Sequence, residues 1–473
     1  MSSNTQRSVE KSAPFERVLD VRLILSVVAA GIMSFSGVCV ETAMNVTFPE
    51  LMSEFNIGTS TVQWMTTAYL LVLAAIVPTS SFLNRRFRTK RVFIAAMCFY
   101  IAGILCGFTA QSFPMLLVGR VLEGVGTGIA LPLMFNIITE QAPQDCMGTM
   151  MGVGSLVTAM APAVGPSVGG WLAENFGWRA IFAALLPILV VSFVLGICSI
   201  RQSHEVSNEK FDVPGWLSIA MSFMALVFAV DLGAGLGWTS AATLGLFAAF
   251  VVFLILFVLR ERSCEQPLIH LSIFERPRYV MGVVAIVALQ FVVLGLSFLI
   301  PNYSQLVMGA GATEAGSILL PGCLVGALMA PLSGQILDRF GPRRPILAGA
   351  ACAFVGTALF AALSQSLATL PAICIYVCFA LGQGLMVGNS MTTSLSFLPV
   401  ETKSDGNAVI TTLQQLAGAI GTSVASAIVN AAQVGATDMA AATMTGSRSA
   451  YLLLAVVAVV PFASMFWVTG KRD

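Results

Sequence analysis

Residues 333–344 read SGQILDRFGPRR and residues 80–91 read SSFLNRRFRTKR. Each is a short polar, basic stretch between two apolar runs, and each follows the second run of a set of six. A chain that repeats its loop chemistry at the same place in two sets of spans reads as two related halves. Working outward from these loops gives apolar windows that match a hydrocarbon core of about 30 Å at about 20 residues apiece. They fall at 22–44, 60–80, 91–111, 114–138, 148–171 and 179–200, then at 279–301, 314–336, 345–365, 369–394, 406–430 and 449–469. Two more, 214–232 and 241–260, lie between the sets. The expected fold class is therefore all-α integral membrane, with fourteen transmembrane helices arranged 6+2+6. Its divisions are a cytoplasmic tail over 1–21, a six-helix half over 22–200, a linker carrying the extra pair over 201–278, and a six-helix half with a short tail over 279–473. Internal repeats of this kind are common among secondary transporters.

Composition agrees. The 473 residues are 57% hydrophobic and 10% charged, with a mean hydropathy of +0.88, whereas soluble domains are about 25% charged. The first 21 residues show neither a short apolar core nor a small-residue cleavage site, so no secretory signal is expected. A net charge of +1 gives no sign of a nucleic-acid partner. Nearly all ten cysteines sit in apolar runs, and His204 and His270 are apart from any ligand-like cluster. They read as buried thiols with no metal and no disulfide.

Basic residues accumulate on the cytoplasmic side of membrane proteins. With the N-terminus inside, the cytoplasmic segments hold Arg7, Lys11, Arg17 and Arg22; Arg85, Arg86, Arg88, Lys90 and Arg91; Arg201 and Lys210; Arg260, Arg262, Arg276 and Arg278; Arg339, Arg343 and Arg344; Lys403; and Lys471 and Arg472. Of the 24 basic residues only Arg120, Arg179 and Arg448 are left over. Both termini are expected in the cytoplasm of a cell-membrane protein.

The stretch from Gly154 to Gly170, GSLVTAMAPAVGPSVGG, is apolar yet rich in helix breakers. At i, i+4 spacing Ala161, Gly165 and Gly169 form one stripe, and Gly154, Thr158, Pro162, Pro166 and Gly170 form its neighbour. Small faces let helices approach closely in lipid, and the two prolines remove backbone donors, so a bend is expected. From the residues alone this reads either as a kinked packing helix or as a functional element. Gly165-Pro166-Ser-Val-Gly169-Gly170 resembles the antiporter motif in the fifth span of drug exporters of the major facilitator superfamily. Leu117-Val-Gly-Arg120-Val-Leu-Glu123-Gly124-Val-Gly126 resembles the fourth-span motif, Gly177-Trp178-Arg179-Ala-Ile-Phe182 the start of the sixth span, and Gly334 to Arg344 the cytoplasmic loop motif. Phe211-Asp212-Val-Pro-Gly215 resembles the start of the extra pair. Glu41-Thr-Ala-Met-Asn45 and Val62-Gln-Trp64-Met-Thr-Thr-Ala-Tyr69 are similar to the first two spans of the Gram-positive multidrug and lincosamide exporters among the 14-span drug:proton antiporters.

The resemblance implies a major facilitator fold and export of amphipathic compounds in exchange for protons. It makes Gly154, Pro162, Gly165, Pro166, Gly169 and Gly170 the antiporter motif, and Gly334, Asp338, Arg339, Gly341 and Arg343 the gating loop. The first loop departs from the pattern, with Ser81 and Arg88 in place of glycines and Arg85 in place of an aspartate. A gating role and simple anchoring at the surface are both open for it.

Charge at membrane depth costs about 2.5–3.5 kcal/mol on insertion scales, which singles out Glu41, Arg120 and Glu123. Arg120 and Glu123 are three apart and can pair, so a structural ion pair competes with a functional one. For Glu41 the alternative is snorkelling to water. Resemblance favours function for Glu41 and Arg120; Asn45 joins them as a candidate for proton or substrate coupling, and Glu123, standing where the family usually has Gln, is a candidate proton or cation site that the wider family lacks. Asp231 and Glu314 read as solvated. Gly124-Val-Gly126-Thr-Gly128 has no preceding strand and carries no dinucleotide site.

These readings give a proton-coupled exporter working by alternating access, with no cofactor and no catalytic residues, the single chain in the bilayer being the working unit. Its partners are small amphipathic substrates and protons. The rivals are an exporter of one defined metabolite or lipid-like compound and a non-transporting membrane receptor or scaffold.

Overall fold

The computed structural model of the protein describes residues 19–470 apart from 58, 63, 204, 205, 209 and 265, and the described residues contain no strand. Hydrocarbon offers the backbone no water, so a spanning segment must pair its N–H and carbonyl groups within itself, as an α-helix does. The long helices are α1 (Val21–Val46), α2 (Trp64–Arg86), α3 (Thr89–Phe108), α4 (Phe113–Gln141), α5 (Met147–Phe176), α6 (Arg179–Ser199), α7 (Val213–Leu236) and α8 (Ala241–Ser263). They continue with α9 (Pro277–Leu306), α10 (Glu314–Phe340), α11 (Arg343–Leu363), α12 (Thr369–Ser396), α13 (Lys403–Gln433) and α14 (Met439–Val468). Thirteen are long and apolar enough to cross a membrane, and α5 makes a fourteenth as a span bent by 42° between Gln144–Pro162 and Val164–Phe176.

The repeat reappears in the packing. In the first set α1 lies against α5 and α6, α2 against α4, and α3 against α4 and α6; in the second, α9 lies against α13 and α14, α10 against α12, and α11 against α12 and α14. The sets meet where α5 packs on α10 and α12 and where α13 reaches α2. The inserted helix α7 touches both sets, through α2 and α13, and α8 lies on α7. Leu244, Val251, Val252, Ile255, Leu256 and Leu259 of α8 are exposed, an apolar face that suits lipid tails.

Several expected boundaries move. Helix α2 continues to Arg86, past the expected end at 80, and α3 starts at Thr89, so the first basic loop is helical except for Phe87 and Arg88. Helix α10 likewise runs to Phe340 and ends at Gly341, whose φ of +80° suits a residue without a Cβ. Helix α14 begins at Met439, so the gap of 431–448 expected between the last two spans shrinks to 434–438 and Arg448 falls inside the helix. Hydropathy marks the hydrocarbon limit, whereas a helix ends where its caps and turns end it, and long basic side chains carry it past that limit. The ten cysteines are free; only Cys39 is buried, while Cys98, Cys198 and Cys374 are exposed on the bundle's outside. An apolar residue in a membrane helix can face lipid instead of protein, which corrects the reading of these thiols as uniformly buried. Arg7, Lys11, Arg17, His204, Lys471, Arg472 and the side chain of Asp231 lie outside the described residues; Glu314 is exposed.

The remaining basic clusters gather at one face of the bundle, where α2, α4, α8, α10 and α12 end. At the opposite face the short helix Phe48–Phe55 follows α1. Trp178 Nε1 donates to Glu54 at 2.6 Å, and Arg179 pairs with Glu54 at 2.8 Å and donates to the Ala110 carbonyl at 2.6 Å. The hydrogen bond from Arg179 holds the Glu54 carboxyl below the usual carboxylate range. The Gly-Trp-Arg motif thus clamps three connections together.

Helix α5 presents its small stripe to α1. A Cβ on Gly165 would run into Thr42 Oγ1 and would lie 2.7 Å from the Cys39 carbonyl, and one on Gly169 would run into Ala43, whereas one on Gly170 would meet only Val46, at an ordinary 3.5 Å. Overpacking a close contact costs about 1–3 kcal/mol. Gly165→Ala is expected to lower the unfolding temperature of the detergent-solubilised protein by several degrees, and Gly170→Ala to leave it unchanged. Equal melting curves for the two variants would show that the stripe is not a tight interface.

Candidate functional site

Between the two sets of helices lie two adjoining hollows of about 130 and 610 Å³. They share Glu41 and Thr42 of α1, Pro162 of α5, Leu294 and Ser297 of α9, and Gln415 of α13. The larger one runs toward the opposite face past Asn45, Val46, Phe48 and Thr66. Both sets of helices contribute to each wall, so a movement of one set against the other reshapes the cavity.

Among the described residues, Glu41 is the only carboxylate lining either hollow, and no Lys, Arg or His lines them. Asn45 accepts a hydrogen bond from Thr66 at 2.6 Å beside it. The second set contributes mainly uncharged hydrogen-bonding groups, namely Gln290, Gln383, Gln414, Gln415, Tyr376 and Ser297. A neutral amide in an apolar span gives no charge signal, and the sequence reading missed all four glutamines; their recurrence in midspan on three helices of the second set was the available clue.

Arg120 and Glu123 are not among the lining residues. They form an ion pair inside the first set, Arg120 being 1% and Glu123 0% exposed. The guanidinium lies 4.6 Å from the Tyr69 ring centroid, and Arg120 Nε donates to the Met65 carbonyl at 3.4 Å. Glu123 Oε1 and Arg120 Nη2 have no hydrogen-bond partner among the described residues. The structure therefore places Glu41 and Asn45 together in the cavity and Arg120 and Glu123 behind its wall.

The antiporter stretch divides its work. Pro162 lines both hollows and Pro166 the larger one, Gly165 and Gly169 hold α1, and Gly154 faces Phe135 and Ile138 of α4. At the basic face, Asp338 accepts hydrogen bonds from the backbone N–H groups of Gly148 and Thr149 at 2.8 and 3.0 Å and from the Thr149 hydroxyl at 2.8 Å. A carboxylate is favoured at a helix N-terminus, so this contact fastens α10 to α5. Gly334 abuts the Gly148 backbone, while Arg339 and Arg343 are exposed, Arg343 lying 5.2 Å from the Phe466 ring centroid. In the first set the matching contact is made by Arg85, which pairs with Asp405.

An all-helical membrane protein built from two repeated sets of spans around a central cavity is a transporter, and the chain belongs to the Major Facilitator Superfamily, whose model matches residues 30–422. It is 34% identical over 454 residues to the lincomycin resistance protein LmrB of Listeria monocytogenes, covering 94% of this chain and 96% of that protein. The protein of the same name from Bacillus subtilis is 35% identical over 413 residues, covering 87% and 86%. The multidrug resistance protein Stp of Mycobacterium tuberculosis is 26% identical over 410 residues, covering 86% and 76%. The fold is similar to that of the human organic anion transporter MFSD10 and of the proton:xylose symporter XylE, each with a TM-score of 0.66, at 12% and 17% identity and covering 94% and 95% of this chain and 99% and 96% of those structures. Membership in this family favours a transporter over the receptor or scaffold alternative.

Removing one partner of a buried pair leaves an uncompensated charge and costs about 3–5 kcal/mol, whereas replacing both by apolar residues of similar size is often near neutral. Arg120→Met is expected to lower the unfolding temperature sharply, and Arg120→Met with Glu123→Leu to recover most of the loss. A double variant as unstable as the single one would show that the pair is not an isolated structural unit.

Proposed function

We propose that the protein exports amphipathic small molecules across the cell membrane in exchange for protons, by alternating access to the cavity between the two sets of spans. The observation that carries this reading is Glu41, a carboxylate in a cavity that is walled by both sets and that, among the described residues, is lined by no other charged side chain. A carboxylate that faces water on one side and then the other can take up a proton from outside and release it inside. Each positive charge moving inward contributes about 2.3 kcal/mol per 100 mV. The names of the relatives, lincomycin and multidrug resistance, support drug-like substrates. Four glutamine amides and one negative charge suit compounds that carry at most one positive charge and several hydrogen-bonding groups on an apolar body.

In this reading the basic face is cytoplasmic, both termini lie on that side, and a monomer is the transporting unit. Asn45 orients substrate or Glu41, the Arg120–Glu123 pair stiffens the wall behind Glu41, and the bent α5 seals the cavity against leak. The divisions at 22–200, 201–278 and 279–473 are the moving half, the insert and the second moving half.

Two measurements test it. In inverted vesicles with an imposed pH gradient, the wild-type protein is expected to release protons when lincomycin is added, and Glu41→Gln to abolish that release while retaining part of the binding. Exchange by Glu41→Gln at the wild-type rate would remove Glu41 from coupling. For orientation, Thr437→Cys in the 434–438 turn should react with an impermeant maleimide in intact cells and Arg88→Cys should not; the reverse pattern would invert the topology.

A further inference from the structure

Three of the differences between the first copy of the loop motif and its twin fall where the motif has two glycines and an aspartate, and the structure accounts for each. Arg88 has φ −63° and starts α3 from extended backbone, so the positive φ found at Gly341 is not needed there. The other two departures, Ser81 for Gly334 and Arg85 for Asp338, both turn toward residues 266–270, in the linker that joins the inserted pair to the second set. Ser81 Oγ donates to the Leu268 carbonyl at 2.9 Å, and Arg85 Nη2 donates to the Pro267 and Leu268 carbonyls at 3.0 and 3.2 Å.

Arg85 also faces the start of α13, and here the repeat gives an internal standard. Helices α5 and α13 begin alike: Pro143 precedes a 3-10 turn, Gln144–Cys146, and Met147 starts α5, while Pro399 precedes Val400–Thr402 and Lys403 starts α13. Counting from the prolines, Thr149 and Asp405 are equivalent. At the α5–α10 seam the carboxylate comes from the loop motif, Asp338, and the helix start supplies Thr149. At the α13–α2 seam the helix start supplies the carboxylate and the loop motif supplies the cation. A bare Arg85 would oppose the positive end of the α13 dipole; Asp405, in the first turn of α13 and fully buried, reverses the local field. Asp405 also accepts from the His270 backbone N–H at 2.8 Å and lies 2.7 Å from His270 Nδ1. Glu261, near the end of α8, accepts from Ile269 N–H at 3.2 Å and fixes the same linker from the other side.

We propose that Arg85, Asp405 and His270 form a charge-reversed lock on the basic face, equivalent to Asp338–Thr149 in its twin, and that the linker of the inserted helix pair is its third part. The inserted pair is thereby a gating element: opening the cavity to the basic face requires the 266–270 segment to leave the α2–α13 seam. These three are positioning residues, none of them among the residues that line the cavity, and the lock holds whether or not protons drive transport.

Amide hydrogen exchange on the full-length protein in lipid nanodiscs reads the lock directly, because local opening sets the exchange rate. Arg85→Asp, which sets two carboxylates face to face, is expected to raise exchange about tenfold in 266–273 and in the first turn of α13. The 147–150 turn held by Asp338 should keep its wild-type rate. Adding Asp405→Thr rebuilds the twin's chemistry and should bring the α13 turn back toward wild type while 266–273, deprived of its Asp405 contact, stays fast. His270→Ala should accelerate 266–273 and the α13 turn alone. Arg85→Gln gives the same readout without placing like charges together if Arg85→Asp does not accumulate. Unchanged α13 exchange in Arg85→Gln, or a double variant whose α13 turn exchanges as fast as Arg85→Asp, would overturn the proposal. No substrate or pH gradient enters this measurement, so a failure of proton-coupled export leaves it standing, and the converse holds too.

Discussion

Hydrocarbon satisfies no polar group, and that constraint governs the buried ionisable side chains among the described residues. Three solutions recur. Arg120 and Glu123 are paired inside a helix set, with the guanidinium over Tyr69. Glu41 faces the two adjoining hollows between the sets. Asp338, Arg85 and Asp405 sit at helix ends on the basic face, where backbone N–H groups or opposite charges meet them. A carboxylate outside these solutions would be neutralised or expelled.

The same constraint explains how a helix containing breakers serves the bundle. Prolines free backbone carbonyls, and in α5 they do so beside the cavity, where polar groups have company, while the glycines around them let α1 approach and restore dense packing. Bend and bare stripe are two aspects of one solution. The basic end of α5 uses a different face, against α10, so one helix is tied to its own set at one level and to the other set at another.

The inserted pair has a comparable double attachment. Helix α7 touches a helix from each set, α8 covers it on the lipid side, and the linker beyond α8 crosses the seam where α2 and α13 meet. Two structurally equivalent seams thus close one face with opposite arrangements of charge. Charge complementarity across a seam requires opposite signs, and either partner can carry either sign.

What the sequence by itself determined was whatever the bilayer dictates locally: the number of long helices, the repeat that pairs Gly334–Arg344 with Ser81–Arg91, the bend at Pro162 and the ion-pair spacing of Arg120 and Glu123. Those follow from hydropathy over about 20 residues and from neighbours three or four apart on a helix. Helix ends were less legible, because a basic helix such as Ser80–Arg86 continues past the hydrocarbon. The site was half legible: Glu41 announced itself by charge, whereas Gln290, Gln383, Gln414 and Gln415 gave no comparable signal. Only the tertiary structure decided that Glu41 and Asn45 share a cavity while Glu123 lies behind its wall. It alone brought Arg85 to Asp405, 320 residues away in the chain, because contacts between two sets of helices depend on how rigid bodies meet, and no local spacing records that.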